Sequence, residues 1–304
     1  MGAYVQDEWR LTDKLTLNTG LRFDQMFAFT DANQFSPRVN LVYKPLDGTT
    51  LHAGYARYFT PPPQVLAGPT NVAAFVPTFT PPDTTQQSPV LPERSHYFDV
   101  GMTQMLAPGF QVGVDGYYKI ARDLLDDGQF GQALVLDAFN YNEAKNSGVE
   151  LSASYTSGNF KAYGNLAWAK QIATGIVSNQ YLFSAEDLAY IASHYVYTDH
   201  AQTWTGSAGA SYLWNGTRYS ADLVYGSGLR SGDFNTDHVP GHAEVNIGAS
   251  REFDTPELGK ITARVSIVNL FDSIYLIRDG SGIGVFAPQY GARRGYFAGL
   301  SKAF

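Results

Sequence analysis

The chain has 304 residues, 16% of them charged, a formal net charge of -7 and no cysteine. That length holds one large β domain or two small ones. The lack of cysteine excludes a disulfide framework and a thiolate metal site, and net acidity without a basic stripe argues against nucleic acid as a partner.

No apolar run approaches the length of a transmembrane helix, so a helical membrane protein is excluded. A mean hydropathy of -0.20 does not exclude a membrane barrel, because half of each strand faces water. Aromatics make up 14%, with 20 Tyr and 19 Phe. Such Tyr usage suits interfacial girdles, where the ring is buried and the hydroxyl stays wet. A Tyr-rich soluble all-β protein is compatible with the same composition.

The predicted elements run as strand pairs. Residues 4–11 form the first strand and Thr12-Asp13-Lys14 a tight turn into 15–26. Leu15, Leu17, Leu21 and Phe23 fall on one face; Thr16, Asn18, Gly20, Arg22 and Asp24 fall on the other. Opposite charges two residues apart suit a hydrated lumen and suit a soluble core badly. A loop then runs to Pro37. Strands 38–44 and 51–59 flank an Asp47-Gly48 turn.

Residues 60–92 are long and rich in Pro, Thr and Gln, which is unusual inside a compact soluble domain and ordinary on the outer side of a barrel. Strands extending to 106 and over 110–121 flank Ala107-Pro108-Gly109, and 122–144 is the next long connection. Three more pairs repeat the plan: 145–156 with 160–171, 202–214 with 217–228, and 242–253 with 261–271. Between them lie 172–201, 227–241 and 279–292. Ser184 with Asp187 fits a capping-box variant before a short helix near 188–192. The last strand is 294–304. Tyr296, Ala298, Leu300 and Phe304 lie on one face, with Phe297, Gly299, Ser301 and Ala303 on the other.

Short turns and long connections alternate, as a bacterial outer-membrane barrel requires. A soluble sandwich or propeller has no reason to put every short turn on one side. The expectation is an all-β, antiparallel transmembrane barrel portion of about thirteen strands. Arg22, Asp24, Asp115, Glu150, Asp222, Glu244 and Asn246 are expected to face the lumen. Leu15, Leu17, Leu21, Phe23, Phe110, Val112, Val114, Val245, Ile247, Tyr296, Ala298 and Leu300 are expected to face lipid.

A terminal Phe304 closing an alternating strand resembles the assembly signal of Gram-negative outer-membrane barrels. Asn269-Leu270-Phe271-Asp272 with Tyr275, then Asp279-Gly280 through Ala287-Pro288-Gln289-Tyr290-Gly291 to Arg293-Arg294-Gly295, resembles the end of a TonB-dependent receptor. The opening pair, Tyr4-Val5-Gln6-Asp7-Glu8-Trp9 with Leu15-Thr16-Leu17-Asn18-Thr19-Gly20-Leu21-Arg22-Phe23-Asp24, is similar to mid-barrel strands of that family. The resemblance covers nearly all of residues 1–304. It implies roughly the last thirteen strands of a barrel of about 22, a Gram-negative outer-membrane location, and uptake of a scarce ligand too large for porins: a ferric siderophore, a cobalamin or an oligosaccharide. It also implies outer-membrane lipid and the barrel-assembly machinery as partners, ligand contact at the outer loops, and TonB acting through a plug domain. That plug, the energy-coupling box, the first strands and a signal peptide are expected outside these residues, because Met1-Gly2-Ala3 leads straight into a strand. With an odd strand count the first and last strands run parallel, so the sheet is expected to stay open. A passive channel or structural fragment, and a soluble carbohydrate-binding module, are the alternatives of other classes.

Candidate chemistry is sparse, and neither catalysis nor a cofactor is expected. Ser95 and His96 are adjacent on a strand and point to opposite faces. His52 stands alone among apolar neighbours and reads as structural. His238 and His242 flank Pro240-Gly241, which breaks the helix that a chelating i,i+4 pair needs. Gly226-Ser227-Gly228 and Gly280-Ser281-Gly282-Ile283-Gly284 lack a phosphate-loop context and read as loops. His194 and His200 flank residues 195–199, where Tyr, His and Asp together suit a hard or borderline cation, but no matching set stands elsewhere in the chain and no metal site is expected. Asp123, Asp126, Asp127, Asp137, Glu186, Asp187, Asp233 and Asp237 lie in the expected outer connections, where acidic groups attract cations or keep loops solvated.

Overall fold

The computed structural model describes residues 1–78, 81–129, 136–257 and 259–302. Its first half is an antiparallel meander of β1 (Gly2–Thr12), β2 (Leu15–Met26), β3 (Ala32–Tyr43), β4 (Thr49–Thr60), β5 (Glu93–Ala107), β6 (Phe110–Gln129), β7 (Leu136–Ser157) and β8 (Phe160–Ile176). The second half continues with β9 (Val196–Tyr197), β10 (Trp204–Trp214), β11 (Thr217–Gly226), β12 (Arg230–Ser231), β13 (Asp237–His238) and β14 (His242–Thr255). It ends with β15 (Gly259–Val268), β16 (Leu276–Asp279), β17 (Pro288–Tyr290) and β18 (Gly295–Lys302). Thirteen of these follow one another in one sheet, in the order β1-β2-β3-β4-β5-β6-β7-β8-β10-β11-β14-β15-β18, and β9 adds to β8. β12–β13 and β16–β17 are separate small hairpins in the connections. Among the described residues β1 pairs only with β2 and β18 only with β15, so the sheet is open there, as expected for an odd count.

Turn chemistry sets the short connections. Asn215 and Gly216, both at positive φ (48° and 75°), make the two-residue turn between β10 and β11. Gly109 (φ 75°) turns β5 into β6 where a Cβ would sit 2.0 Å from the Thr156 carbonyl oxygen, so no side chain fits.

The register sorts the side chains into two faces. Arg22 pairs with Ser36, Asp115 with Glu150, and Asp222 with Asn246. Followed strand by strand, these pairs put Arg22, Asp24, Asp115, Glu150, Asp222, Glu244 and Asn246 on one face. Leu15, Leu17, Leu21, Phe23, Phe110, Val112, Val114, Val245, Ile247, Tyr296, Ala298 and Leu300 fall on the opposite face. No second sheet covers that apolar face: Val100 is 63% exposed, Val265 57% and Leu300 78%. A water-soluble monomer rarely leaves so continuous an apolar surface bare.

Aromatic residues bound the apolar band at both ends. Trp204 stands opposite Trp168, and Tyr212 opposite Phe160 eight residues away along each strand. Eight steps at about 3.3 Å span roughly 26 Å of strand, about 20 Å along the normal at a tilt near 40°. Lys145 and Lys170 lie on the same face just past the outer ring, over the Tyr195 and Tyr197 rings at 4.6 and 6.0 Å.

The compact core lies in the connections, at the far end of β6, β7 and β8. Ala121, Ala144 and Ala173 from the polar face pack with Leu124, Phe139, Tyr141, Tyr181, Leu182, Phe183 and Ile191. A smaller cluster joins Ala67, Val90 and Ala138.

Several expected boundaries move. β3 begins at Ala32, ahead of the expected Arg38, and runs through Pro37. Its ladder with β4 begins only at Arg38, so the missing amide of Pro37 deprives β4 of no partner. The expected connection 122–144 is instead mostly an extension of β6 and β7, paired from Arg122↔Glu143 to Gln129↔Leu136. Alternation is lost there because the connections bury both faces of the extension, and Asp123 takes a positive φ (53°). β15 stops at Val268, and Asn269-Leu270-Phe271-Asp272 forms a turn rather than strand, with φ of 50° at Asn269 and 52° at Asp272. The expected short helix is Ala185–Ile191, capped by Ser184, whose hydroxyl accepts from Asp187 N–H at 3.0 Å. Phe304 of the expected assembly signal lies outside the described residues, while Tyr296, Ala298 and Leu300 share the apolar face of β18.

Candidate functional site

The polar face carries connected charges. Arg22 holds Asp24 through Nε at 2.7 and 2.9 Å. His52, expected to stand alone, lies between two carboxylates: its Nε2 is 2.9 Å from Asp115 Oδ1 and 3.4 Å from Asp99 Oδ2. The apolar neighbours in sequence point to the other face, and the acidic partners come from β5 and β6. Gly101 makes room for this group, since a Cβ there would meet Asp115 Oδ1 at 2.1 Å and His52 Cε1 at 2.4 Å. Lys119 Nζ pairs with the buried Glu93 at 2.6 Å. Farther along, Asn246 Nδ2 donates to Asp222 Oδ2 at 2.9 Å, and Tyr275 Oη donates to Glu244 at 3.1 Å. The His242 ring stacks on Tyr275 at 4.1 Å.

The turn 269–272 closes the last long connection. The Asn269 side chain donates to the Ser273 and Ala292 carbonyls, both at 2.9 Å, and accepts from Ser273 N–H at 2.9 Å. Asp272 takes Arg293 Nε at 2.7 Å and Arg294 N–H at 3.1 Å. The Arg293 guanidinium holds the Asp272 carboxyl well below the usual carboxylate range. The start and end of 269–294 are thereby tied side by side, which aims β18 back along β15. Phe271 is exposed and Leu270 gives its amide to Val245 O at 2.7 Å.

A second group lies among the connections. β6 and β7 have 20 and 22 residues, where about 9–11 cross a bilayer, so the far end of β6 stands clear of any membrane span. There Asp126 meets Asp199 and His200. His200 Nδ1 is 2.9 Å from Asp199 Oδ1 and 3.4 Å from Asp126 Oδ1. Arg278 Nη2 is 2.9 Å from Asp199 Oδ2. The hydrogen bond to Asp199 lifts the imidazole to about 9, against the opposing effect of burial. Burial pushes the Asp126 carboxyl up to about 7. Contrary to the expectation that no matching set stands elsewhere, Asp126 is brought to the 194–200 stretch by the extension of β6. His194 is turned elsewhere, stacked on Tyr190 at 4.2 Å.

Asn140 anchors the same layer. It is fully buried; its Nδ2 donates to Leu91 O (2.9 Å) and Asp123 O (2.8 Å), and its Oδ1 accepts from Leu91 N–H and the Ser178 hydroxyl, both at 2.8 Å. Asn140 leaves little trace in the sequence beyond a polar residue set between Phe139 and Tyr141. Ser95 and His96 lie on opposite faces: Ser95 is buried, and His96 Nδ1 is 2.9 Å from the Tyr55 hydroxyl. His238 sits on the β13 hairpin strand, while His242 opens β14.

The profile described as "TonB dependent receptor-like, beta-barrel" matches residues 1–270. The chain belongs to that family. Solved structures with the same fold include the FrpB iron transporter of Neisseria meningitidis, with a TM-score of 0.65 and 18% identity, covering 98% of this chain and 44% of that one. The copper transporter OprC aligns with a TM-score of 0.67 and 18% identity over 100% of this chain and 47% of its own. The siderophore receptor PiuA of Acinetobacter baumannii aligns with a TM-score of 0.66 and 13% identity, over 98% and 42%. The chain therefore spans less than half the length of these barrel proteins. No curated protein matches it.

Proposed function

We propose that the chain forms the C-terminal part of the barrel of a Gram-negative outer-membrane receptor that imports a scarce, metal-containing ligand. The single uncovered sheet carries this reading. One face is a charged network that suits an aqueous lumen, and the other is an apolar band framed by aromatic rings that suits lipid. In this reading Arg22, Asp24, Asp115, Glu150, Asp222, Glu244 and Asn246 line the lumen. Tyr296, Ala298 and Leu300 lie on the last strand, and the terminal sequence ending in Phe304 is what the assembly machinery reads.

The structural neighbours, an iron transporter, a copper transporter and a siderophore receptor, favour a metal or ferric siderophore over a cobalamin or oligosaccharide. Ligand capture falls to the outer connections, and energy comes from TonB acting through a plug. The test expresses the longest open reading frame containing these residues in a host stripped of its siderophore receptors. Growth on at least one ferric siderophore or metal under limitation, abolished when TonB is removed, is the expected result. TonB-independent leakage of all small solutes would replace this reading with that of a passive channel.

A further inference from the structure

Asp126, Asp199 and His200 come from two stretches of chain and place one donor atom each within 4.8 Å of the others. Among the described residues no other three His, Asp or Glu donors converge in this way. Both carboxyl side chains are more than nine-tenths buried, with 7% exposure at Asp126 and 5% at Asp199, whereas the imidazole is 45% exposed. Asp126 Oδ1 accepts the Asp127 amide at 2.9 Å. Among the described residues nothing donates a hydrogen bond to Asp126 Oδ2, which is buried. The His200 imidazolium faces only the Oδ1 side of this carboxyl, at 3.4 Å, so the buried Oδ2 is left unmatched, which is costly. Arg278 is engaged with Asp199 Oδ2 and does not fill the role.

We propose that Asp126, Asp199 and His200 bind a first-row divalent cation of borderline hardness, of the class of Zn²⁺ and Co²⁺. Two carboxylates and one imidazole are the donor set such ions take. Ca²⁺ and Mg²⁺ prefer shells of oxygen alone, and Cu(I) selects sulfur, which no cysteine offers here. His200 Nδ1 already faces both carboxylates and is the ring donor; a proton held there leaves as the ion arrives. Three protein ligands leave a tetrahedral ion one open position, and the exposed imidazole marks the side of entry. The ion would tie the end of β6 to residues 198–203. Arg278, bound to Asp199, brings the β16–β17 hairpin into the same joint. This site stands on the side-chain geometry and not on the uptake reading, so either can fail alone.

The test uses the full chain folded in detergent micelles and stripped with a chelator. Zn²⁺ is titrated by calorimetry and Co²⁺ by its visible absorption. One ion per chain is expected, undisplaced by excess Ca²⁺ or Mg²⁺. Asp126→Asn and His200→Gln should each weaken binding by at least about a hundredfold, since even groups behind a ligand are worth about 10–100-fold. Asp127→Asn, one residue away and outside the triad, should bind as the parent does. Circular dichroism and heat-shifted gel migration verify that each variant is folded, and His200→Gln decides the matter if Asp126→Asn is not. No saturable binding of either ion, binding unchanged in both triad variants, or equal loss in Asp127→Asn would overturn the proposal.

Discussion

Asn246 Oδ1 accepts the backbone N–H of Asn269 at 2.8 Å, and through this bond the polar face of β14 holds the turn that ends β15. Asn269 is 1% exposed and sits at a φ of 50°. Its side chain makes three further bonds to 273 and 292. Replacing Asn269 with Ala removes those three and leaves buried backbone groups unpaired. At about 1 kcal/mol per bond, with the penalty for unmatched groups, the loss should be about 2–4 kcal/mol. Urea unfolding in micelles measures it. Asn246→Ala, which frees the Asn269 amide and also removes the bond to Asp222 Oδ2, should lose about 1–3 kcal/mol.

Asn140→Ala should loosen the layer of connections without melting the sheet. The change strips two donors and two acceptors of their partners at Leu91, Asp123 and Ser178. Hydrogen exchange should quicken by orders of magnitude over residues 86–92 and 177–183, while β1, β2, β14 and β15 keep their protection. Uniform loss of protection would mean that sheet and connections unfold as one unit.

Two glycines on opposite faces separate packing from propensity. Gly101→Ala drives a methyl into Asp115 and His52, and should destabilise by about 1–3 kcal/mol. Gly164 lies on the apolar face, where a Cβ would meet nothing within 4 Å. Gly164→Ala should be neutral or stabilising by up to about 1 kcal/mol, because it reduces the freedom of the unfolded chain. Thermal midpoints of the two variants in one detergent give the comparison.

Arginine scanning tests which face meets lipid. Leu151 and Ser152 are neighbours on β7, paired with Leu166 and Asn165 and so on opposite faces. Leu151→Arg should lower stability in bilayers by about 2–4 kcal/mol, as a charge near the midplane does. Ser152→Arg should stay within about 1 kcal/mol of the parent if that side is wet. Folding titrations into lipid vesicles measure both, and a reversed order would invert the assignment of the faces.

Much of this architecture is local and therefore legible in the sequence. Leu15, Leu17, Leu21 and Phe23 against Arg22 and Asp24 show a strand with one wet face, because side chains alternate at period two whatever the strand's partners are. Asn215-Gly216 and Asp47-Gly48 mark turns because few other residues adopt their backbone angles. Those two signals sufficed for thirteen strands, their order, and the sorting of charged from apolar positions. Within the connections the sequence was nearly silent, since their segments pack on several sides and leave no period to read.

The tertiary structure decided what lies beside what. His52 reads as isolated because its partners, Asp99 and Asp115, are brought to it only by the β4–β5 and β5–β6 registers. The extension of β6 and β7 past Ala121 and Lys145 rests on backbone pairing and on burial against Tyr181, Leu182 and Phe183, none of which leaves an alternating trace. The meeting of Asp126 with Asp199, His200 and Arg278 depends on how three long connections fold over one another. Local sequence encodes conformation through sterics and alternation. Such long-range proximity is set by register and loop packing, which only the folded chain possesses.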